Sequence, residues 1–184
     1  DSDVCLFMID AQQGIHAQDL AIFHLVERNR KGVVVIVNKW DLVEKDQNSA
    51  KAFADHIRAR LAPFTDVPVV FTSVIDKQRV FKALEEAIRV FENRKKKVRT
   101  SELNDFFLPI IENNPPPAIK GKYVKVKYVT QLPTTTPQFA FFCNLPQYVN
   151  ESYRRFLENK LRERFDFSGV PVQIFFRGKA KSED

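Results

Sequence analysis

The stretch that decides the fold is Val33-Val34-Val35-Ile36-Val37-Asn38-Lys39-Trp40-Asp41. Its first five residues are aliphatic, which is too short for a membrane span and typical of a strand buried on both faces of a parallel sheet. An amide, a cation and a carboxylate follow. Because open α/β sheets bind ligands just beyond the carboxyl ends of their strands, the stretch predicts a central strand followed by a binding loop.

The residue types in Asn38-Lys39-Trp40-Asp41 suit a guanine base. Guanine presents N1–H and N2–H side by side, and the Asp41 carboxylate can accept both. Asn38 can bond N7 and tie neighbouring loops together, while the methylene stem of Lys39 can lie over the base. N-K-x-D after a buried strand resembles the guanine-recognition motif of P-loop GTPases. The alternative is a chance match of four residues at a strand end.

A second loop supports the first. Ser73-Val74 follows a predicted strand at residues 67–72 and stands where these GTPases carry Ser-Ala. In that motif a backbone N–H bonds guanine O6, and the Ser hydroxyl braces the aspartate. Val74 keeps the backbone donor but brings a larger side chain towards the base. The predicted guanine-binding residues are therefore Asn38, Lys39, Asp41, Ser73 and Val74.

The chain has no G-x-x-x-x-G-K-[ST] sequence, the loop that cradles nucleotide phosphates. The segment from Asp10 to Gly14 is similar to a D-x-x-G magnesium loop but has one residue too many, so we interpret it as a strand end that turns into a helix. The 37 residues before Asn38 are too few for a phosphate loop and two switch segments. We expect a chain that begins inside a GTPase domain, with no catalytic and no metal-binding residue of its own.

Strands and helices alternate through residues 1–98, which predicts a parallel, doubly wound sheet. The predicted strands are residues 4–9, 33–37 and 67–72. The last helix of this part is predicted to bury the stripe Val80, Leu84, Ala87, Ile88 and Phe91. Two interpretations are open for Arg94-Lys95-Lys96-Lys97. The four cations can stabilise the C-terminus of a helix before a linker, or they can form a strip that contacts phosphates.

From residue 99 the pattern becomes α+β. Thr100 or Ser101 can cap a helix that Pro109 is expected to kink or interrupt. Residues 123–129 alternate, which predicts a strand with Val124, Val126 and Tyr128 on one face. A hairpin partner at 139–144, a helix capped by Asn150 and a strand at 172–176 follow. The order α-β-β-α-β predicts a KH-like domain over residues 99–179, after a GTPase half-domain at 1–98 and before a tail at 180–184.

Composition narrows the class of protein. No apolar stretch approaches eighteen residues, so we expect no membrane span. Cys5 and Cys143 lie far apart, which fits free thiols in a reducing cytoplasm better than a disulfide framework. The net charge is +6, and residues 99–184 hold 13 basic and 9 acidic residues. This excess permits an RNA partner.

Nearly the whole chain resembles the bacterial tandem GTPases of the Der family, also called EngA. The resemblance rests on the sequences at residues 10–15, 38–43, 101–104, 151–159 and 169–172. It implies a cytoplasmic, magnesium-dependent factor that hydrolyses GTP and assists assembly of the large ribosomal subunit. GTP or GDP with Mg²⁺ would be bound by the intact parent, and the partners would be rRNA and the parent's other G domain. This chain would supply half of the second G domain and the complete KH-like domain, and would be inactive alone.

Two other functions remain open. The first is an Era-type GTPase whose KH domain grips RNA through a G-x-x-G loop. No glycine of this chain has a second glycine three positions later, which argues against that alternative. The second is a non-catalytic interaction module, in which exposed lysines either contact rRNA or form only the solvent-exposed face of a strand. These lysines are Lys120, Lys122, Lys125 and Lys127.

Overall fold

The computed structural model describes residues 2–44, 49–73 and 79–178. The chain forms two compact units. The first contains the residues up to 94 together with residues 167–171, and the second contains residues 95–166 and the chain from 172 onwards. Each unit has its own three-stranded sheet, and the sequence predicts both: an α/β unit followed by an α+β unit.

The first unit is built on a parallel sheet in the order β1-β2-β3. Its strands are β1 (Val4–Asp10), β2 (Gly32–Asn38) and β3 (Val69–Phe71). Its helices are α1 (Ala17–Arg28), α2 (Ser49–Arg60) and α3 (Val80–Lys95). Side chains of α1 and α2 pack with one face of β2, and side chains of α3 pack with the other. The central strand is therefore buried on both faces, as its aliphatic run predicts.

Strand β3 is shorter than the predicted 67–72. Pro68 has no N–H to donate, so it cannot extend a regular ladder. The chain nevertheless continues the pairing beyond the strand, because Val35 N–H donates to Pro68 O at 2.9 Å and Thr72 N–H donates to Val37 O at 2.8 Å. The loop after β3 is thereby fixed beside the end of β2.

The prediction for the buried stripe of α3 was wrong in part, since Leu84 and Ile88 are exposed whereas Ala87 packs partly buried against the core. The helix buries Ala83 and Val90, whereas Ile88 is 64% exposed and Phe81, on the same side, is 80% exposed. Ala83 and Val90 lie seven residues apart on one face of the helix, and both belong to the core cluster that contains Val34 and Ile36 of β2. Leu84 consequently lies on the flank and is exposed.

Residues 167–171 form a segment, here called the strap, that packs into the first unit. Gly169 O accepts from Val33 N–H at 2.7 Å, and Gly169 N–H donates to Asp66 O at 2.8 Å. The buried side chain of Asn93 donates from Nδ2 to Ser168 O at 3.1 Å. Val170 is fully buried in the core cluster under α3. The strap therefore completes the hydrogen bonding and the core at the start of β2.

The second unit has the predicted order α-β-β-α-β. Its helices are α4 (Thr100–Asn113) and α5 (Glu151–Arg164), and its strands are β4 (Val126–Gln131), β5 (Gln138–Cys143) and β6 (Gln173–Arg177). β4 is antiparallel to β5, and β5 is parallel to β6. Phe107 of α4 packs edge-on against Phe141 of β5 at 5.0 Å. The predicted cap of α5 is confirmed, since Asn150 Oδ1 accepts from Tyr153 N–H at 2.8 Å.

The predicted capping of α4 by Thr100 or Ser101 was wrong, and the helix is not interrupted at Pro109. Arg99 precedes the helix as its N-cap without a capping side chain, and the Thr100 hydroxyl instead lies 3.0 Å from Thr130 Oγ1. The helix also runs through Pro109 without interruption. Pro109 has no N–H to donate to the carbonyl of Asp105, four residues earlier. Because Asp105 is exposed, water can donate to that carbonyl instead. Packing of the opposite face therefore keeps the helix continuous.

The predicted alternation of β4 was wrong at Tyr128. Val126 pairs with Cys143, but Tyr128 pairs with Phe142, so β4 has one extra residue at this point. Such a β-bulge shifts the following side chains to the opposite faces. Val129 consequently enters the core, and Tyr128 is 43% exposed.

Three cations of the run at residues 94–97 make contacts within the fold. Arg94 pairs with Asp3 at 2.5 Å, Lys96 Nζ donates to Asp166 O at 2.6 Å, and Lys97 Nζ donates to Thr134 O at 2.8 Å. These contacts favour a packing role for the run over a strip free to contact phosphates.

Candidate nucleotide-binding site

The candidate site lies at the carboxyl ends of β1 and β2. Asp10 and Asn38 are the last residues of these strands and are register partners. Ala11 N–H donates to Asn38 O at 2.9 Å, so the two loops start side by side. This is the edge of the sheet at which parallel α/β proteins bind ligands.

An ion pair with Asp10 fixes the position of Lys39. The backbone of Lys39 is left-handed, with φ of 59°, and its Nζ lies 2.7 Å from Asp10 Oδ2. Asp10 Oδ1 also accepts from Gln12 N–H at 2.8 Å. The hydrogen bond from Lys39, followed by that from Gln12, lowers the pKa of Asp10 below its ordinary value. The carboxylate therefore stays charged and holds the ammonium group across the strand ends.

Sequence reasoning missed Asp10 as a site residue because it interpreted the segment from Asp10 to Gly14 only as a strand end that turns into a helix. The available signal was positional. Polar residues that end two adjacent parallel strands must meet at one edge of the sheet, and Asp10 ends the strand that precedes β2.

Trp40 anchors the motif in the core. Its ring lies 4.4 Å from the Phe71 ring and 5.4 Å from the Phe53 ring, measured between centroids. Its backbone N–H donates to Thr72 O at 3.1 Å. The aromatic cluster and this hydrogen bond hold the one-turn helix Trp40–Leu42 against β3.

Asn38 and Ser73 belong to loops that the structure joins. Thr72 Oγ1 donates to Asn38 Oδ1 at 3.4 Å, which leaves the amide Nδ2 of Asn38 as a donor for a ligand. Ser73, the next residue, is buried. Val74 lies outside the described residues.

Asp41 sits in the one-turn helix with its side chain partly exposed. The arrangement therefore brings an amide, a fixed cation and a carboxylate acceptor to one edge of the sheet, next to Ser73. Within the described parts of the chain, no cluster of acidic, His or Cys side chains could hold a metal ion. The guanine-binding role of these residues stays a prediction.

Comparison with known proteins agrees with the two units. Residues 1–93 match the elongation factor Tu GTP-binding domain, and residues 97–177 match the KH-domain-like C-terminal region of EngA bacterial GTPases. The chain belongs to the Der (EngA) family of GTPases. It is 62% identical over 177 residues to GTPase Der of Christiangramia forsetii, covering 96% of this chain and 41% of that protein.

Other Der relatives show the same extent of similarity. GTPase Der of Flavobacterium johnsoniae is 58% identical over 178 residues, and that of Bacteroides fragilis is 59% identical over 180 residues. Each match covers 97% of this chain and 41% of the relative. The chain thus spans about 41% of the length of the Der proteins it matches. Among its described helices, none is long and apolar enough to cross a membrane.

Proposed function

We propose that this chain is the guanine-binding half of a Der-type G domain together with its KH-like domain. The intact protein hydrolyses GTP with Mg²⁺ in the cytoplasm, carries a second G domain and assists assembly of the large ribosomal subunit. The observation that carries the proposal is the motif loop at the end of β2, where Asp10 fixes Lys39 and Trp40 anchors the turn that holds Asp41.

The residues of the site can each contact a different part of the guanine base, which supports this function. Asn38 Nδ2 would bond N7, the Asp41 carboxylate would accept N1–H and N2–H, and the backbone after Ser73 would bond O6. Phosphate contacts and Mg²⁺ normally come from a glycine-rich loop with its Lys and Ser or Thr. Since this chain has no such sequence, we assign neither Mg²⁺ nor the attacking water to any of its residues.

An exposed apolar surface beside α3 supports the proposal that the chain is one half of a G domain. Lys82, Glu86 and Arg89 line a cleft with β3, so they mark the flank of α3 on the β3 side. Leu84 and Ile88 lie on the opposite flank, towards β1, and are exposed.

Side chains of β1 extend this surface. Leu6 and Met8 are register partners of Val34 and Ile36, so they share the sheet face that α3 covers, yet Met8 is 56% exposed. Contiguous exposed apolar side chains normally pack against something. We propose that they pack against the preceding part of the G domain in the intact protein.

The first test of the proposal concerns nucleotide affinity. Residues 1–184 alone should bind GTP no more tightly than about millimolar, because base contacts without phosphate contacts supply only a few kcal/mol. They should also fail to hydrolyse it. Calorimetric titration measures the affinity, and a micromolar dissociation constant for this chain would contradict the assignment of the phosphate site to another segment.

A second test concerns the ribosome. The exposed lysines Lys120, Lys122, Lys125 and Lys127 give the second unit an RNA-compatible surface. The intact parent should co-sediment with purified large ribosomal subunits in the presence of a non-hydrolysable GTP analogue, and less so with small subunits. Equal sedimentation with both subunits at physiological salt would contradict a specific role on the large subunit.

A further inference from the structure

The bulge in β4 aligns a row of side chains across the face of the second sheet that is opposite its core. Tyr128 of β4 pairs with Phe142 of β5, and Phe142 pairs with Arg177 of β6. The neighbouring row on the core face contains Val129 and Phe141, which are fully buried. The row Tyr128–Phe142–Arg177 is therefore the one that the sheet presents on the side away from its core.

The aromatic rings of this face are already arranged for stacking. Tyr128 and Phe142 lie parallel, with an interplanar angle of 3° and a centroid distance of 4.6 Å. Phe175 stands on the same face one row further along β6, and the Arg177 guanidinium lies 5.9 Å from its ring. Phe142 and Phe175 are both partly exposed. The face thus offers flat apolar surface with a cation at its border.

A cleft adjoins the aromatic pair. It has a volume of about 320 Å³ and is lined by Lys127, Tyr128, Phe142, Cys143, Asn144 and Gly178. None of these lining residues is acidic, and Lys125 and Lys127 are both exposed nearby. The cleft can therefore accept a flat group that carries negative charge.

We propose that this face, named here the aromatic platform (Tyr128, Phe142, Phe175 and Arg177), binds unpaired bases of single-stranded RNA by stacking. The inference rests on the RNA partner of the proposed function and specifies the kind of RNA contact. Stacking on aromatic rings tolerates any base, while cations at the border bind the backbone. A base inside a duplex has no free face, so paired RNA gains only the phosphate contacts. The chain lacks the G-x-x-G clamp, and the platform supplies an alternative contact.

The test measures RNA binding by the full chain. Fluorescence anisotropy with a labelled single-stranded oligouridine of about 12 nucleotides should show that Tyr128→Ala weakens binding by roughly ten- to a hundredfold. Tyr128→Phe should leave it within about twofold of the unsubstituted chain, because the ring is kept. Tyr123→Ala is the matched control, since Tyr123 is 72% exposed but takes no part in the stacked pair.

Two further probes separate stacking from charge. An oligomer of the same length with abasic sites, and a duplex of the same length, should both bind more weakly than the single strand. Equal affinity for all three probes would mean that only phosphates are recognised and would overturn the platform. If Tyr128→Ala lowers the melting temperature, Tyr128→Leu, which keeps bulk without a flat ring, is compared with Tyr128→Phe instead.

The outcomes distinguish the platform from the wider proposal. RNA binding that is unchanged in Tyr128→Ala and Tyr128→Leu overturns the platform while leaving the ribosomal role intact. If the full chain binds no RNA at low salt, the platform is also overturned, and Tyr128 is then tested as part of an interface with a protein partner. Neither result changes the guanine-binding assignment, which depends on Asp41 and is measured separately.

Discussion

Gly169→Ala is expected to destabilise the first unit by about 2–5 kcal/mol. Gly169 has a φ of +77°, a conformation that costs an L-residue about 1–2 kcal/mol. An added Cβ would lie 2.4 Å from Val90 Cγ2 and 2.8 Å from Val33 O. Because the strand oxygen cannot move without breaking the ladder, overpacking adds about 1–3 kcal/mol. The strap would be displaced from the start of β2.

Urea unfolding of the full chain measures this effect. The chain has a single tryptophan, Trp40, so its fluorescence reports the first unit next to the candidate site. Gly14→Ala is the matched control, because Gly14 also has a positive φ, of +72°, but a Cβ there would meet nothing within 4 Å. It should cost only about 1–2 kcal/mol. Equal losses for the two variants would show that the strap is not tightly packed.

The central strand and its motif could be predicted from sequence because their signals are local. A short run of five aliphatic residues is typical of a strand buried on both faces of a sheet. Asn38-Lys39-Trp40-Asp41 then follows at a defined edge of that sheet. The α-β-β-α-β order was equally accessible, because apolar periodicity marks each element even where the cap of α4 and the alternation of β4 were predicted wrongly.

Contacts between distant residues could not be predicted from such signals. The apolar residues of α3 include the buried Ala83 and Val90 as well as the exposed Ile88, so apolar periodicity alone does not show which of them pack against the sheet. Tyr128 reached the opposite face because one extra residue in β4 reversed the alternation. Likewise, nothing in residues 167–171 marks them as a strap for a unit that begins more than a hundred residues earlier.

The candidate site shows the same limit. The sequence indicated which residue types suit guanine, but the partner of Lys39 came from another strand. The position of Asp10 at the end of a strand could be inferred from the sequence, but its ion pair with Lys39 depends on the register of β1 and β2. The hydrogen bond between Thr72 and Asn38 likewise depends on the pairing of β2 with β3.

Asp41→Asn in the intact parent is expected to weaken GTP binding by roughly ten- to a hundredfold and to improve XTP binding. Each hydrogen bond from guanine N1–H or N2–H to the carboxylate is worth about 1.5–3 kcal/mol, and 1.4 kcal/mol corresponds to a factor of ten. The amide replaces one acceptor oxygen with a donor of nearly the same shape. Xanthine carries a carbonyl where guanine has N2–H, so this donor suits xanthine and loses one guanine bond.

The most direct test of guanine recognition measures GTP and XTP affinities on the intact parent, its Asp41→Asn variant and a Glu44→Gln control. Glu44 is an exposed carboxylate three residues from Asp41, so its substitution removes the same charge without touching the base. We predict that the ratio of GTP to XTP affinity falls by at least roughly tenfold in Asp41→Asn and stays unchanged in Glu44→Gln. A ratio unchanged in Asp41→Asn would mean that Asp41 acts only through stability and would contradict its role in guanine recognition.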